Sequence, residues 1–267
     1  MADAKDVAVG KSLVAARGPL WYQSDRKRKR ILKGLRGVDR DSDWGCSKHD
    51  GWVQGYSFEV VVTATKASPV FPLLASADRA SAKATRTFVE KIGALPESTQ
   101  HVTADSGYDS NALGEQVEWT EQGRRTGRRF LHPENKRGTK QPPEKNIQPR
   151  DESHRRRLVR RKFYQSPSGK PIYQRRRQTV EPFNEWFKSL FEWTDRVWHR
   201  GLQNNQPQLL AAIFAYQLLV RYNHRRGKKN GQVRWILDMM RIAGHPQVSS
   251  SYPLRRIVSV VPRGAPP

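Results

Sequence analysis

A largely apolar, β-branched segment between residues 56 and 65 constrains the fold of this 267-residue chain more than any other feature. Phe58 is followed by Val60, Val61 and Val62, so apolar side chains fall on both faces of an extended backbone. Such a run is typical of a strand that is buried on both sides, because a half-exposed strand alternates apolar and polar residues. We therefore predict a buried strand here, with the remaining elements arranged around it.

Further strands and helices are predicted on either side of this run. Strands are expected at residues 7–16, 69–77, 100–104 and 128–132. Helices are expected at residues 78–93, 178–199 and 233–243. Another is expected at 109–117, with Asp109 as its N-cap. A further helix is expected to begin after an N-cap at Asn205, with Pro207 in its first turn. This order favours a mixed α/β fold with a helical C-terminal part.

The domain organisation follows from composition. Residues 1–245 are assigned to one domain and residues 246–267 to a Pro- and Ser-rich tail. The basic segments 17–50 and 124–177 are interpreted as loops or insertions within that domain, with a short helix at 155–164 as an alternative.

The positive charge of the chain is concentrated in two segments. The chain has 49 Lys plus Arg and 25 Asp plus Glu, a net charge of +24. Residues 17–40 hold nine basic and two acidic residues, and residues 124–177 hold nineteen basic and four acidic ones. A solvated surface explains one basic run, but two such windows indicate a polyanionic partner, most simply nucleic acid. The cluster predicted to contact DNA phosphates comprises Arg155, Arg156, Arg157, Arg160 and Arg161.

Several classes of protein are excluded by what the sequence lacks. Cys46 is the only cysteine, so there is no disulfide framework. No apolar run reaches the length of a membrane span and no apolar signal region opens the chain, so a cytoplasmic location is expected. A Walker-type phosphate loop is absent, and the seven histidines lack zinc-ligand spacing. Carboxylates are the remaining candidates for chemistry.

Two carboxylates stand out by their position. Asp105 follows a predicted strand and precedes a glycine, a place where α/β proteins present ligand-binding groups, although a turn or helix cap explains it equally. Glu181 lies on a predicted helix with Arg177 and Lys188 on the same face. Such a glutamate binds a metal beside phosphates in one interpretation, and forms a surface ion-pair ladder in the other.

Taken together, these residues resemble the second and third carboxylates of DDE insertion-sequence transposases. Asp105 stands in ADSGYDS, and Tyr173, Arg177 and Lys188 surround Glu181 in the order of that family's Tyr-Arg-Glu-Lys signature. The gap between Tyr173 and Arg177 is one residue longer than the usual pattern. Segments 51–62 and 202–223 also resemble parts of the family, and the resemblance covers about residues 7–240.

The resemblance implies a ribonuclease H-like fold and a DNA transposase that cuts and joins transposon ends. In that chemistry two Mg²⁺ ions, which Mn²⁺ can replace, clamp the attacking and leaving oxygens of a phosphoryl transfer. Asp105 and Glu181 would be catalytic metal ligands, while Tyr173, Arg177 and Lys188 would lie at the DNA near the cut. The implied partners are double-stranded DNA of the transposon ends and target, and a second copy of the chain in the active complex, in association with a bacterial nucleoid.

The opening strand departs from the family's pattern at Gly10. The family carries its first catalytic Asp in the opening strand, in a context like VAVxKSLVAARGPLW, and this sequence has Gly10 at the position marked x. Asp6 lies nearby but out of register, and the chain starts almost at this strand, so a truncated or decayed copy is expected. The alternative function is a DNA-binding protein without catalysis, in which Gly10→Asp should restore a ligand. An RNA-binding ribonucleoprotein factor is a third interpretation, but it leaves the contexts of Asp105 and Glu181 unexplained.

Overall fold

A computed structural model describes residues 4–28, 36–47, 50–65, 70–81, 91–135, 149–190, 196–227 and 233. The strands are β1 (Asp6–Ala15), β2 (Asp43–Ser47), β3 (Gly51–Thr63), β4 (Pro72–Arg79), β5 (His101–Thr103) and β6 (Arg129–Leu131). The helices are α1 (Gln23–Lys27), α2 (Asn111–Glu118), α3 (Glu152–Gln165), α4 (Gly169–Leu190) and α5 (Leu202–Arg225). Short 3-10 helices occupy Ile92–Ala94 and Ser106–Tyr108.

The strands form one mixed sheet with β3 and β1 at its centre. β1 pairs antiparallel with β3 and parallel with β5, and β6 pairs parallel with β5 at one edge. On the other side of β3, β2 pairs with residues 51–55 and β4 with residues 56–62. The predicted buried strand is therefore confirmed. The mixed sheet with helices on both sides is consistent with the expected ribonuclease H-like fold.

Helices cover both faces of this sheet. Successive residues of β1 enter different apolar clusters, because side chains alternate across a strand. Val7 lies in a buried cluster with Leu113 of α2, whereas Ala8 lies in another with Val180 of α4 and Leu209 of α5. Cover on both sides explains why the central strands carry nearly continuous apolar sequence.

Both basic segments contain regular structure. Segment 17–50 includes α1 and β2, which were not predicted. Segment 124–177 includes β6 and α3, which correspond to the predicted strand at 128–132 and the alternative helix at 155–164, together with the first turns of α4. α3 is held to α2 by ion pairs such as those of Arg156 with Glu115 and Arg160 with Glu118. Apolar periodicity cannot reveal a helix that packs through charged side chains.

Three predicted helix ends were also wrong. α5 begins at Leu202, so Asn205 lies inside the helix, where its side-chain amide donates to the carbonyl of Gly201. Ser110, not Asp109, precedes α2. The helix predicted at 178–199 begins at Gly169, and residues 196–199 are not helical.

Some expectations lie partly or wholly outside the described residues. Residues 82–90 of the predicted helix 78–93, most of the helix predicted at 233–243, and the C-terminal tail are of this kind. None of the described helices combines the length and apolar character that crossing a membrane requires.

Gly55 allows β1 and β3 to approach closely at the last residue pair between them, Ala15 with Gly55. A Cβ atom at this position would lie 2.0 Å from the carbonyl oxygen of Val14 and 2.8 Å from Cα of Ala15. Both contacts are with backbone atoms, which cannot rotate away as a side chain can. The longest strand pair in the sheet thus depends on the absence of a side chain at Gly55.

We expect Gly55→Ala to lower the free energy of unfolding by about 3 kcal/mol or more, because the added methyl group must push β1 and β3 apart. Chemical denaturation followed by circular dichroism measures this change. Gly93→Ala is the matched control, since a Cβ there meets no atom within 4 Å. It should change stability by no more than about 0.5 kcal/mol. Equal stability of the two variants would contradict the close approach at Gly55.

A buried polar group lies between the sheet and the 3-10 helix that follows β5. Glu59 of β3 accepts a hydrogen bond from the hydroxyl of the fully buried Tyr108, and Lys11 faces it from β1. Burial raises the pKa of Glu59 to about 7, with the Asp105 carboxylate adding to the rise, against the opposing effects of Tyr108 and Lys11. Burial also raises the pKa of Tyr108, so that its hydroxyl remains a donor.

The raised pKa of Glu59 predicts a stability that depends on pH. The folded state favours protonated Glu59, so its contribution is fully present below the ordinary pKa of 4.5 and is lost as pH rises through about 7. Glu59→Gln should remove this component, which has a slope of at most about 1.4 kcal/mol per pH unit. Urea unfolding of both proteins across that interval measures the difference. Glu185→Gln, which removes an exposed carboxylate, should keep the parent's profile. A parent and a Glu59→Gln variant with parallel profiles would refute the assignment.

Candidate functional site

Asp105 lies at the C-terminal end of β5, where the chain turns away from the sheet. Its Oδ1 accepts a hydrogen bond from the backbone N–H of Gly107 at 2.7 Å, which makes it the N-cap of the 3-10 helix Ser106–Tyr108. Its side chain is 46% exposed, and Oδ2 points to α4. The cap interpretation of Asp105 therefore applies, but it uses only one of the two carboxylate oxygens.

Glu181 reaches the same place from α4, which packs across β1. The residue before it, Val180, is fully buried against the sheet, and this orientation leaves the Glu181 side chain 55% exposed at the helix edge. Asp105 and Glu181 are 76 residues apart in sequence. A strand end and a helix thus bring the two candidate carboxylates to one side of the domain.

A single guanidinium joins the two carboxylates. Nη1 of Arg176 lies 2.8 Å from Oε1 of Glu181, and Nη2 lies 3.5 Å from Oδ2 of Asp105. Nε donates to the carbonyl oxygen of Val9 at 3.3 Å, which ties the guanidinium to β1. The Arg176 side chain is only 7% exposed. A buried, fixed positive charge therefore lies between the two acids.

Arg176 is the functional residue that sequence reasoning missed. The helical spacing assigned Arg177 to the face of Glu181, but Arg177 is exposed and Arg176 makes the contact. The only signal was the run Arg175–Arg177 itself, because one of three successive helical positions must turn toward the sheet. Which one does so depends on how α4 lies on β1.

Gly10 lies two residues beyond the last pair of β1 with β5, which is Ala8 with Thr103. Asp105 likewise follows Thr103 by two residues, after β5 has ended. However, a Cβ at Gly10 would lie 2.4 Å from Cγ2 of Val180. α4 therefore occupies the space that a side chain would need, and the expectation that Gly10→Asp simply restores a ligand has to be corrected.

Asp6 does not replace the missing acid. It pairs with His101 at the opposite end of β5 from Asp105, and its carboxylate is buried between His101 and Arg175. Burial raises the pKa of Asp6, but the hydrogen bond from His101 and the nearby charges outweigh it and the net pKa is lowered. Asp6 is thus the anchor for the start of α4, away from the carboxylate pair.

The other residues of the signature lie at three different places along α4. Tyr173 packs edge-on against Tyr164, with ring centroids 4.9 Å apart, and burial raises its pKa. Arg177 is exposed near Glu181. Lys188 lies in the last turn of the helix, where its Nζ is 3.7 Å from Oδ2 of Asp50. The structure therefore brings only Arg177 near the carboxylate pair from the exposed surface.

The basic cluster of α3 is largely engaged inside the molecule. Arg160 and Arg161 are 3% and 9% exposed, and only Arg155 projects substantially into solvent. The pairs join Arg155 to Glu152, Arg156 to Glu115 and Glu152, Arg157 to Asp109, Arg160 to Glu115 and Glu118, and Arg161 to Glu134. The predicted DNA contacts of these arginines stay a prediction, and for Arg160 and Arg161 they would require breaking a buried ion pair, which is costly.

The carboxylate pair does not fit two divalent ions. Mg²⁺ binding needs oxygen ligands, and two adjacent ions need several carboxylates to offset their charge. Within the described ranges, no group of three or more His, Cys, Asp or Glu could hold a metal ion. Gly10 supplies no ligand, and Asp105 and Glu181 already share the charge of Arg176.

Comparison with known proteins gives the family. The family model described as "Transposase DDE domain" matches residues 2–218. None of the curated proteins and none of the solved structures matches the chain. Residues 2–218 include the whole described sheet together with Asp105 and Glu181. The chain therefore belongs to the family of transposase DDE domains, the proteins of DNA transposition in insertion sequences.

Proposed function

We propose that this chain binds transposon DNA as a member of the transposase family without cutting it, because Arg176 closes its carboxylate site. The single observation that carries this proposal is the guanidinium between Asp105 and Glu181. The net charge of +24 supports the DNA-binding part.

The chemistry of arginine supports a closed site. A guanidinium keeps its positive charge at any ordinary pH and presents N–H donors in a fixed fork that can serve two carboxylates at once. A divalent ion would have to displace a side chain that is 7% exposed and also bound to the carbonyl of Val9. With Gly10 adding no ligand, the incoming ion would gain only two carboxylates in exchange.

An active transposase is the second candidate. Its support is the meeting of Asp105 and Glu181 from a strand end and a helix, with both side chains about half exposed. In that case both would hold Mg²⁺, which would supply the activation of water or a DNA 3′-hydroxyl. Arg177 would bind phosphate nearby, and two copies of the chain would hold the two transposon ends.

Arg176→Met is expected to open the site to a metal ion. Without the guanidinium, two neighbouring carboxylates lose their counter-charge. In EDTA, where no metal ion is free, we therefore expect the free energy of unfolding to fall by about 1–3 kcal/mol. Mn²⁺ should then raise the melting temperature of this variant by mass action, but not that of the parent. Differential scanning calorimetry with EDTA or Mn²⁺ measures both effects. Arg177→Met, with the same charge change at an exposed neighbouring position, should behave as the parent does. If Mn²⁺ raised the melting temperatures of the parent and Arg176→Met equally, the proposal of a closed site would be contradicted.

The parent is expected to cut DNA no faster than Asp105→Asn, because Asp105 is engaged with Arg176 rather than with a metal. The measurement is release of labelled strand from a duplex carrying the element's own ends, with Mg²⁺ or Mn²⁺ present. Binding of the same duplex, read by gel shift, should be retained by both proteins. Metal-dependent cutting by the parent that Asp105→Asn abolishes would overturn the proposal and establish the active transposase. Absence of DNA binding by the parent would remove the proposed function altogether.

A further inference from the structure

A basic groove runs along the edge of the sheet, between α3 and the segment that leads from α2 into β6. Two adjoining cavities of about 550 and 640 Å³ make up this groove and share Arg129, Val159 and Phe163 in their walls. Its outer wall is a hairpin in which Trp119 and Arg125 form a bridge around Gly123. Gly123 has φ of 74°, a conformation that other residues rarely adopt, so the hairpin is a tight turn.

Aromatic rings hold several arginines of the groove in place. The guanidinium of Arg129 lies 4.3 Å from the ring centre of Phe163. Those of Arg125 and Arg156 lie 5.2 and 4.1 Å from the ring centre of Trp119. A guanidinium stacked on a ring keeps its N–H groups directed outward and loses less side-chain entropy when it binds an anion.

The cations of the groove divide into engaged and available ones. Arg156 and Arg160 are paired with Glu115, Glu118 and Glu152, and Arg128 donates to the carbonyls of Ile92 and Leu95. Arg125, Arg129 and Lys162 are exposed, and none of them has an acidic partner among the residues that the structure describes. The groove therefore presents positive charge that no described carboxylate offsets.

From this arrangement we propose that the groove holds the phosphate backbone of duplex DNA, with Arg125 and Arg129 as the anchoring cations. The proposal rests on the DNA-binding function proposed above, and it locates one of the surfaces responsible. His101 and Arg129 are partners in the pairing of β5 and β6, at the opposite strand ends from Asp105. The groove is thus a separate anchoring site, distant from the carboxylate pair.

The chemistry of the groove favours backbone contacts over base recognition. Single-stranded nucleic acid is bound by stacking of bases on exposed aromatic faces. Here both rings already carry arginines, which leaves guanidinium edges as the groups that face a ligand. Phosphate oxygens match those edges with two parallel hydrogen bonds.

The test is the salt dependence of DNA binding by the double variant Arg125→Gln/Arg129→Gln. The probe is a fluorescein-labelled duplex of arbitrary sequence, and anisotropy gives the association constant over a series of KCl concentrations. The slope of log K against log salt is negative, and each lost phosphate contact makes it shallower by about 0.9, so the variant's slope should be shallower than the parent's by about 1.8. The fold should be retained, as read by circular dichroism, because both side chains are exposed and the substitutions remove only their ring contacts.

The matched control is Arg221→Gln/Arg225→Gln, which removes two exposed charges from α5, a helix that packs on β4 away from the groove. It should retain the parent's slope. A groove variant that keeps the parent's slope would overturn the assignment of this surface while leaving DNA binding intact. If the parent itself shows no salt-dependent binding, the failure lies with the proposed function instead.

Discussion

The antiparallel pairing of β1 with β3 is the constraint on which the rest of the structure depends. Nine residue pairs, from Val7 with Thr63 to Ala15 with Gly55, fix the register of the two central strands. Because side chains alternate, this register sends one set of β1 residues toward α2 and the other toward α4 and α5. On its other edge β1 pairs with β5, the strand that precedes Asp105. A slip of one residue would exchange the two faces and separate every part of the candidate site.

Arginine has three different roles in this protein, and the neighbours of each side chain decide which. Arg176 is buried between two carboxylates, and the arginines of α3 hold that helix to α2 through its acids. Arg125 and Arg129 lie on aromatic rings at the sheet edge, with their N–H groups accessible. A net charge of +24 is therefore not a count of DNA contacts, since part of it stabilises the fold.

The carboxylate site connects the family to the proposed function. Transposases of this kind generally use divalent metals, and in this chain a strand end and a helix bring two of the expected acids together. Arg176 offsets part of their charge, and Val180 occupies the space that a side chain at Gly10 would need. Glu59 lies close enough for the charge of Asp105 to raise its pKa, yet its carboxylate is held by Tyr108 inside the core. These contacts support the proposal that this chain binds DNA without metal-dependent cutting.

The sequence by itself determined the fold class, the family and the two carboxylates. Apolar runs such as Phe58–Val62 and the residues around Asp105 and Glu181 are local patterns, and local patterns can be read without knowing what packs against them. Tertiary structure alone decided which arginine meets those carboxylates, whether a side chain fits at Gly10, and which basic residues are buried. Each of these depends on how α4 and α3 lie on the sheet, which brings together residues far apart in the chain. The helix α3 was only an alternative to a loop in the sequence for the same reason, because it is stabilised by pairing with the acids of α2 and not by an apolar face of its own.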